Sequence, residues 1–272
     1  MGANVAAAHN FTDLYNSSNI GDIRGKSYDL IVSAANRADS HWINQHPAED
    51  RAAIDEYLAV VATVHATKIV LVSTVCVYPG GTSPDETTPL SAEGVTPYGA
   101  NRLHAEQRLY EQFDVLALRL PQLYGIELKK GIVYDLLNDY RVEHIRPEGR
   151  FQYYDLRRLW ADAQVALDAG INALNVATPP LSSARVAAEC FGIDIADQVV
   201  AGEESQFAQM YTRDMRTIHS DLFGGPPGYL IQESAEVAAL QDFARAATVG
   251  VSRRMAQRMD PLDTDQRAKE SD

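Results

Sequence analysis

The sequence is poor in cysteine, in positive charge and in long hydrophobic runs, and each shortage excludes a class of protein. Its only cysteines, Cys76 and Cys190, are not spaced as metal ligands or as a disulfide framework, so we expect free thiols in a reducing, cytoplasmic compartment. No apolar run approaches the ~18 residues of a membrane-spanning helix, and no charged-then-apolar leader opens the chain. With 24 basic against 37 acidic residues, the net charge of -13 disfavours binding to nucleic acid or to anionic membranes.

The histidines show no spacing that is typical of metal ligands. None of the seven histidines has a second histidine four residues away with a glutamate between them, so we expect no metal site. What the composition does supply is 46% hydrophobic residues in a chain of 272, which is enough for one large core, with or without a smaller satellite core.

Short apolar runs alternate with amphipathic stretches through the first half of the chain. The apolar runs lie at 28–35, 68–78 and 114–120, and the amphipathic stretches lie at 47–66 and 98–113. In the first amphipathic stretch the residues at helical spacing are Ile54, Leu58, Val61 and His65. Continuous apolar strands separated by helices predict a doubly wound, parallel α/β sheet covered on both faces.

The first residues predict a fold that is incomplete at its N-terminus. Residues 11–17, "FTDLYNS", predict a strand, and residues 2–9, "GANVAAAH", predict the helix before it. A doubly wound dinucleotide-binding fold starts with one more strand and a glycine-rich turn, which would lie ahead of Met1. Loss of that strand would expose a sheet edge and leave the chain unstable or associating, whereas an upstream start of translation would supply it.

We expect the Rossmann-like domain to span residues 1–180 and a smaller substrate lobe to span 181–259. Residues 126–150 are expected to contribute to that lobe. The charged stretch 260–272 has few apolar anchors and is expected to be a disordered tail.

Acid/base chemistry is indicated by hydroxyl groups at the end of one apolar run and a phenol at the start of the next helix. Ser73 and Thr74 end the strand expected within the run 68–78 and are followed by Val75–Tyr78. Tyr98 and Arg102 share one face of a helix because they are four residues apart. A cation favours the phenolate, and a nearby hydroxyl can bind the substrate oxygen that exchanges a proton with the tyrosine. This set suits hydride transfer at a carbinol or carbonyl.

The spacing of Tyr98 and Arg102 is not diagnostic by itself. With 13 tyrosines and 24 basic residues, such a pair arises by chance, and the chain repeats it at Tyr153 and Arg157 and again at Tyr154 and Arg158. Context selects Tyr98, because it follows Pro97 at a helix start beyond a buried strand, where the ligand crevice of such a sheet lies.

Several segments in order resemble the extended short-chain dehydrogenase/reductases, which include NAD-dependent sugar-nucleotide epimerases and dehydratases. The resemblance covers residues 2–180 and is carried by "YDLIVSAAN", "VSTVCVY", "YGANR", "LRLPQLYG", "FQYYDLRRLWADAQVAL" and "LNVAT". It implies that Tyr98 is the general acid/base, that Thr74 is the catalytic hydroxyl with Ser73 beside it, and that Arg102 replaces a lysine that contacts the nicotinamide ribose.

Two departures from the family pattern bear on the chemistry. Arginine keeps the positive charge at position 102 but replaces a compact ammonium by a planar fork, and its alternative role is a surface pair with Glu106. The family's dehydratases carry Asp-Glu directly after the catalytic threonine, where this chain has Val75 and Cys76. Dehydration is therefore disfavoured.

The resemblance also implies a site for NAD or NADP. Gly2 matches the third glycine of a Gly-x-x-Gly-x-x-Gly turn, whose first two members would precede Met1. The remaining positions matched to cofactor contacts are Asn16, Ser17, Ser18, Asp22, Ile23, Ala34 and Ala35. No carboxylate for ribose hydroxyls and no arginine for a 2'-phosphate stands at 16–19, so the two dinucleotides are not distinguished.

Two functions follow from these features. The first is a divergent NAD(P)-dependent oxidoreductase or epimerase acting on a sugar nucleotide or a related hydroxy-metabolite. The second is a non-catalytic nucleotide- or metabolite-binding protein with a degenerate cofactor site. Helix 98–113 often joins subunits in the family, so we expect a homodimer. Residues that could meet a nucleotide diphosphate, or lie solvated in turns, are Lys129, Lys130, Arg146, Arg150 and Arg213, and Trp42 is a candidate pocket wall.

Overall fold

A parallel four-stranded sheet forms the centre of the protein. The computed structural model describes residues 1–125, 128, 130–200 and 214–258, with side chains as far as 248. The strands are β1 (Ser27–Ser33), β2 (His65–Thr74), β3 (Val115–Leu120) and β7 (Ala173–Asn175). They are hydrogen-bonded in the order β1-β2-β3-β7, with Val70 beside Leu116 in the central register. The parallel sheet expected from the apolar runs is confirmed.

Helices cover both faces of this sheet, which explains why its central strands are apolar throughout. On one face α1 (Gly2–Ala8) and α6 (Leu159–Asp168) pack Val5 and Ala163 into a core with Val70, Leu116 and Leu118. On the other face α3 (Pro47–Val61) and α4 (Pro97–Tyr110) bury their apolar residues with Ile69, Leu71 and Val115. A short helix, α2 (Ser40–Gln45), precedes α3. The fold is the expected Rossmann-like α/β fold.

The predicted strand at residues 11–17 is absent from the structure. Side-chain hydrogen bonds hold the segment instead. The Asp13 carboxylate accepts hydrogen bonds from the hydroxyl of Tyr15 within the segment and from the Tyr28 hydroxyl and the Lys26 amine outside it. Asn16 then begins a turn whose side chain binds the Ser18 backbone N–H. The strand prediction for this segment is wrong, because no neighbouring strand in the described part of the chain pairs with it.

The predicted helix 47–66 is too long at its C-terminal end. Helix α3 ends at Val61, and a turn through Thr63 leads into β2 at His65. His65 is exposed in the first position of that strand, so its helical spacing from Val61 was coincidental.

The rest of the described chain builds a second core beside the sheet. Its strands are β4 (Gln122–Tyr124), paired in parallel with β6 (Tyr153–Asp155), and β5 (Arg150–Phe151), paired antiparallel with β8 (Leu181–Ser182). Its helices are α5 (Ile132–Asn138), α7 (Ser183–Val186) and α8 (Glu233–Arg258). Short 3-10 or π turns lie at Ile20–Ile23, Val75–Val77, Val142–His144, Leu156–Arg158, Ala187–Phe191 and Ser220–Phe223.

Residues Val133, Leu136, Leu181 and Leu240 join α5, β8 and α8 in this second core. The assignment of 126–150 and 181–259 to a substrate lobe remains a prediction. The predicted tail at 260–272 lies outside the described residues. Across the described helices, none combines the length and the apolar character needed to cross a membrane.

Candidate active site

The site is built where β2 ends and the 3-10 turn Val75–Val77 begins. The Thr74 side-chain oxygen accepts a hydrogen bond from the Cys76 N–H at 3.2 Å and so caps the turn. This is the carboxyl end of a central parallel strand, where the crevice of an open α/β sheet forms.

The start of α4 brings the phenol of Tyr98 to this turn. Thr96 caps the helix by accepting a hydrogen bond from the Gly99 N–H at 3.3 Å, and Pro97 occupies the first helical turn. The Tyr98 N–H, which has no partner within the helix, donates to Asn44 Oδ1 at 3.0 Å. The helix start is therefore fixed both by its own cap and by α2.

Gly99 allows α4 to approach the turn closely. A β-carbon at this position would lie 1.9 Å from the Cys76 carbonyl oxygen, which is far inside van der Waals contact. Sequence reasoning missed this residue, although an isolated glycine inside a helical pattern is itself a sign of close packing. The absence of a side chain at 99 lets the start of α4 lie directly against the turn that follows Thr74.

The Tyr98 phenol lies near the Thr74 side chain, which the sequence proposed as its partner. Burial raises the pKa of Tyr98 above its ordinary value, and the nearby Cys76 adds to this increase. Arg102 and the interaction with Thr74 act in the opposite direction. The predicted influence of the cation is therefore present, but burial outweighs it, and the phenol is protonated at neutral pH.

Arg102 is buried and held by α3. Its two terminal nitrogens bind the two oxygens of Asp50 at 3.0 and 3.1 Å, and one of them also donates to the Arg37 carbonyl at 2.5 Å. The guanidinium carbon lies 4.8 Å from the centre of the Tyr98 ring. The alternative of a surface pair between Arg102 and Glu106 is wrong, because Arg102 and Asp50 are each 3% exposed in their side chains.

Glu106 belongs to a different buried network that holds Ser73. The Ser73 hydroxyl donates to the Glu106 carboxylate, which also accepts from Arg119 Nη2 at 2.9 Å. Arg119 Nη1 in turn donates to the Tyr78 hydroxyl at 2.7 Å. The Tyr78 hydroxyl donates to Asn175 Oδ1 at 3.1 Å. This network was not predicted, because its members lie on four separate elements of the fold.

A large groove with a volume of about 2230 Å³ runs along the edge of β1 that has no strand partner among the described residues. It exceeds the roughly 300–1,000 Å³ of a typical small-molecule pocket because it is an open sheet edge flanked by α1 and α3. The predicted cofactor residues on its wall are Gly2, Asn16, Ser17, Ile23, Ala34 and Ala35. Ser18 and Asp22 are not among the residues lining it. A β-carbon on Gly2 would lie 4.0 Å from the Ala34 β-carbon, so the two positions are neighbours.

Thr74, Tyr98 and Arg102 are not among the residues that line the groove, but three residues near Arg102 are. Arg37, Trp42 and Asp50 line it, and the Arg37 guanidinium carbon lies 3.9 Å from the centre of the Trp42 ring. Trp42 is thus part of a pocket wall, as the sequence suggested.

The predicted diphosphate candidates are dispersed. The Lys130 amine donates to the Ala38 carbonyl, Arg146 lies 3.6 Å from Glu148, and Arg150 donates to the Pro180 carbonyl at 2.9 Å. Arg150 also lines a cavity of about 310 Å³ together with Arg216. Lys129 and Arg213 lie outside the described residues.

No group of three or more His, Cys, Asp or Glu side chains that could hold a metal occurs among residues 1–125, 128, 130–200 and 214–248.

Several solved structures share this fold at low sequence identity. The dTDP-4-dehydrorhamnose reductase from Yersinia enterocolitica matches with a TM-score of 0.62 and 15% identity over 91% of this chain and 95% of its own. A mutant UDP-glucuronic acid 4-epimerase from Bacillus cereus, in complex with UDP-4-deoxy-4-fluoro-glucuronic acid and NAD, matches with a TM-score of 0.60 and 12% identity over 85% and 79%. RMD from Pseudomonas aeruginosa, complexed with NADPH, matches with a TM-score of 0.56 and 16% identity over 91% and 93%.

Sequence comparison narrows this likeness to one family. A search of curated proteins gave no match. The model of the NAD dependent epimerase/dehydratase family, however, matches residues 3–143, which is more than half of the 272 residues. The matched region contains α1, β1, β2 and the whole junction of Thr74 with Tyr98. The chain belongs to the NAD-dependent epimerase/dehydratase family.

Proposed function

We propose that the protein is an NAD(P)-dependent oxidoreductase or epimerase that acts on a sugar nucleotide or a related hydroxy-metabolite. The observation that carries the proposal is the close approach of α4 to the turn that follows Thr74, where a β-carbon on Gly99 would meet the Cys76 carbonyl oxygen and the Tyr98 phenol lies near the Thr74 side chain. A phenol and a hydroxyl at that place can bind one substrate oxygen and move its proton.

Tyr98 serves as the general acid/base in this proposal. Because burial keeps its phenol protonated at neutral pH, Tyr98 is ready to donate a proton to a carbonyl oxygen during reduction. Thr74 orients that oxygen, and Arg102 stabilises the phenolate that proton donation leaves behind. Ser73 supports the strand end through Glu106, since its hydroxyl proton is already committed there.

The groove along β1 is the proposed place of the dinucleotide. Gly2, Ala34 and Ala35 give it a wall of small side chains, and Asn16 and Ser17 give it polar groups. A nicotinamide bound there would supply the hydride donor or acceptor. The polar groups fit ribose hydroxyls or a 2'-phosphate equally, so the proposal covers both NAD and NADP.

The substrate class rests on the fold family. Structural relatives are complexed with sugar nucleotides. The cavity lined by Arg150 and Arg216 adds no support for an anionic ligand, because Asp214 and Glu233 line it too and Arg216 is paired with Asp214. Val75 and Cys76 at the positions after Thr74 offer no carboxylate for elimination of water. A cytoplasmic homodimer remains the proposed state of the protein.

Calorimetric titration of the full chain with NAD⁺, NADH, NADP⁺ and NADPH tests the cofactor. We expect saturable binding of at least one dinucleotide, retained in Tyr98→Phe because that change removes one hydroxyl from the substrate side. The absence of saturable binding to all four would contradict the proposal.

One observation favours the second function, a non-catalytic binding protein on the same fold. Arg102, in the position from which the resemblance implied a ribose contact, is engaged by Asp50 and the Arg37 carbonyl. Under this alternative, Tyr98→Phe would leave the biological activity intact. Loss of turnover in a Tyr98→Phe chain that keeps its fold would exclude it.

A further inference from the structure

Asp50 is a buried carboxylate on α3 whose contacts converge on the first turns of α4. It is 4% exposed and accepts two hydrogen bonds from Arg102, at 3.0 and 3.1 Å. Asn101 Nδ2 donates to the same carboxylate at 2.9 Å and also to the Pro47 carbonyl at 2.9 Å. All of these contacts lie on α4 within one turn of Tyr98.

The buried ion pair between Asp50 and Arg102 is not explained by a need to stabilise the packing of α3 against α4. A buried ion pair is a weak source of stability, because the loss of hydration offsets most of the attraction. The same two helices also carry an ordinary surface pair, Asp55 with His104 at 2.7 Å, in which Asp55 is 55% exposed. Besides being buried and bidentate, the Asp50–Arg102 pair differs from the surface pair in that its cation lies against the Tyr98 ring.

We propose that Asp50 is a positioning residue for the proposed acid/base Tyr98: it fixes the Arg102 guanidinium against the ring and neutralises most of its charge. This inference rests on the proposed function only for its catalytic meaning, because the arrangement itself can be tested without cofactor or substrate. Arg102 would then affect the ionisation of the Tyr98 phenol from a fixed position, and Asp50 would weaken the electrostatic effect of its positive charge.

The surroundings of Tyr98 set the direction of the expected effect. The groups facing it are Thr74 from β2, Cys76 from the 3-10 turn and Arg102 from its own helix. Asp50 is the carboxylate bound to that arginine, and Arg37 contributes a carbonyl. Removing the charge of Asp50 leaves Arg102 uncompensated, so phenolate formation at Tyr98 becomes easier.

The test is a pH titration of Tyr98 by fluorine NMR on the full chain labelled with fluorotyrosine. The Tyr98 resonance is assigned by its loss in Tyr98→Phe. In Asp50→Asn we expect the titration midpoint to fall by about one pH unit, a tenfold change in the ionisation constant. The matched control is Asp55→Asn, which makes the same substitution on the same helix and should leave the midpoint unchanged. An unchanged or higher midpoint in Asp50→Asn would overturn the proposal.

A second variant keeps the proposal testable if Asp50→Asn does not fold. Asp50→Asn with Arg102→Gln removes both charges and leaves no unpaired ion. If Asp50 neutralises Arg102, the Tyr98 midpoint in this double variant stays within about half a pH unit of the wild type. A rise of a full unit or more would mean that Arg102 acts with its whole charge in the native protein, and the proposal would fail. Failure of dinucleotide binding in calorimetry would overturn the proposed function without moving these midpoints.

Discussion

The junction of β2 with α4 and the groove along β1 are built in opposite ways. The junction is closely packed: hydrogen-bond partners are present for Thr74, Ser73 and Glu106. Gly99 has no side chain to separate α4 from the turn after β2. Along β1, the outer edge of the strand has no partner among the described residues, and a volume of about 2230 Å³ stays open. The proposed acid/base chemistry therefore rests on a rigid centre, whereas the proposed cofactor site rests on an open edge.

This difference indicates where substitutions will matter. Residues of the junction are buried and mutually dependent, so a single change there leaves neighbours unsatisfied. Residues of the β1 edge already contact solvent, so a single change there removes little.

Gly99→Ala should give the largest effect, because its β-carbon would meet the Cys76 carbonyl oxygen at 1.9 Å. We expect the free energy of unfolding to fall by at least about 3 kcal/mol, or the chain not to fold. Chemical denaturation followed by circular dichroism measures it. Gly21→Ala is the matched control, since nothing lies within 4 Å of a β-carbon there. Equal stabilities of the two variants would refute the close approach of α4.

Glu106→Gln should destabilise the protein by about 3–5 kcal/mol, because it leaves the buried Arg119 guanidinium without its counter-charge. The same change at Glu111, an exposed partner of Arg108 at the C-terminal cap of the same helix, should cost less than about 0.5 kcal/mol. Denaturant unfolding of both variants gives the comparison. A loss below about 1 kcal/mol for Glu106→Gln would show that the junction is less tightly coupled than its contacts indicate.

Glu236, on α8 in the second core, differs from the junction carboxylate Glu106 because it is buried with only part of its hydrogen-bonding capacity used. Its Oε1 has no hydrogen-bond partner within the described part of the chain, and burial raises its pKa from 4.5 to about 8. Arg158 opposes this increase and Asp155 adds to it. Between pH 4.5 and about 8 the folded state holds a proton that the unfolded state releases, so stability should fall as pH rises through this window.

Glu236→Gln should remove that decline and leave the protein more stable than the wild type at pH 8, by about 2–4 kcal/mol. Thermal unfolding at several pH values measures it. Glu233→Gln on the same helix, where the carboxylate is 51% exposed and paired with Arg185, should keep the wild-type pH dependence. A wild-type stability that is flat from pH 5 to 8 would refute the assignment.

The edge of β1 should give the smallest effect. We expect Asp29→Ala, at an exposed position of this strand, to change the free energy of unfolding by less than about 0.5 kcal/mol. Amide hydrogen exchange completes the test: amides of β1 that do not donate to β2 should exchange faster than those of β2 and β3. Uniform protection across the three strands would mean that the edge is covered in solution.

The sequence was informative where structure is set locally and weak where it depends on distant partners. The continuous apolar run of β2 and the proline-started helix α4 were predicted because burial and capping leave a mark in a few adjacent residues. The pairing of Arg102 with Asp50 was not predictable, because the partners lie 52 residues apart and the nearer Glu106 offered a plausible alternative.

Residues 11–17 show the converse error. A short segment of mixed polarity fits a strand or an irregular turn equally well until its neighbours are known. Here Asp13 collects hydrogen bonds from Tyr15, Tyr28 and Lys26, and no strand forms. Gly99 was also missed, although its effect depends only on the approach of one turn to one helix.

The central claim is that Tyr98 moves a proton while a nicotinamide exchanges a hydride with a sugar nucleotide. Its most direct test mixes the full chain with NAD(P)⁺ and UDP-glucose or UDP-glucuronic acid, or with NAD(P)H and dTDP-4-dehydrorhamnose. Nicotinamide absorbance reports a net oxidation or reduction, and NMR of the sugar nucleotide reports epimerisation, because an epimerase returns the hydride that it removes. We predict a change with at least one pair in the wild type and in Tyr140→Phe, whose ring is exposed. In Tyr98→Phe the rate should fall at least about 100-fold. Equal rates in Tyr98→Phe and the wild type would contradict the account.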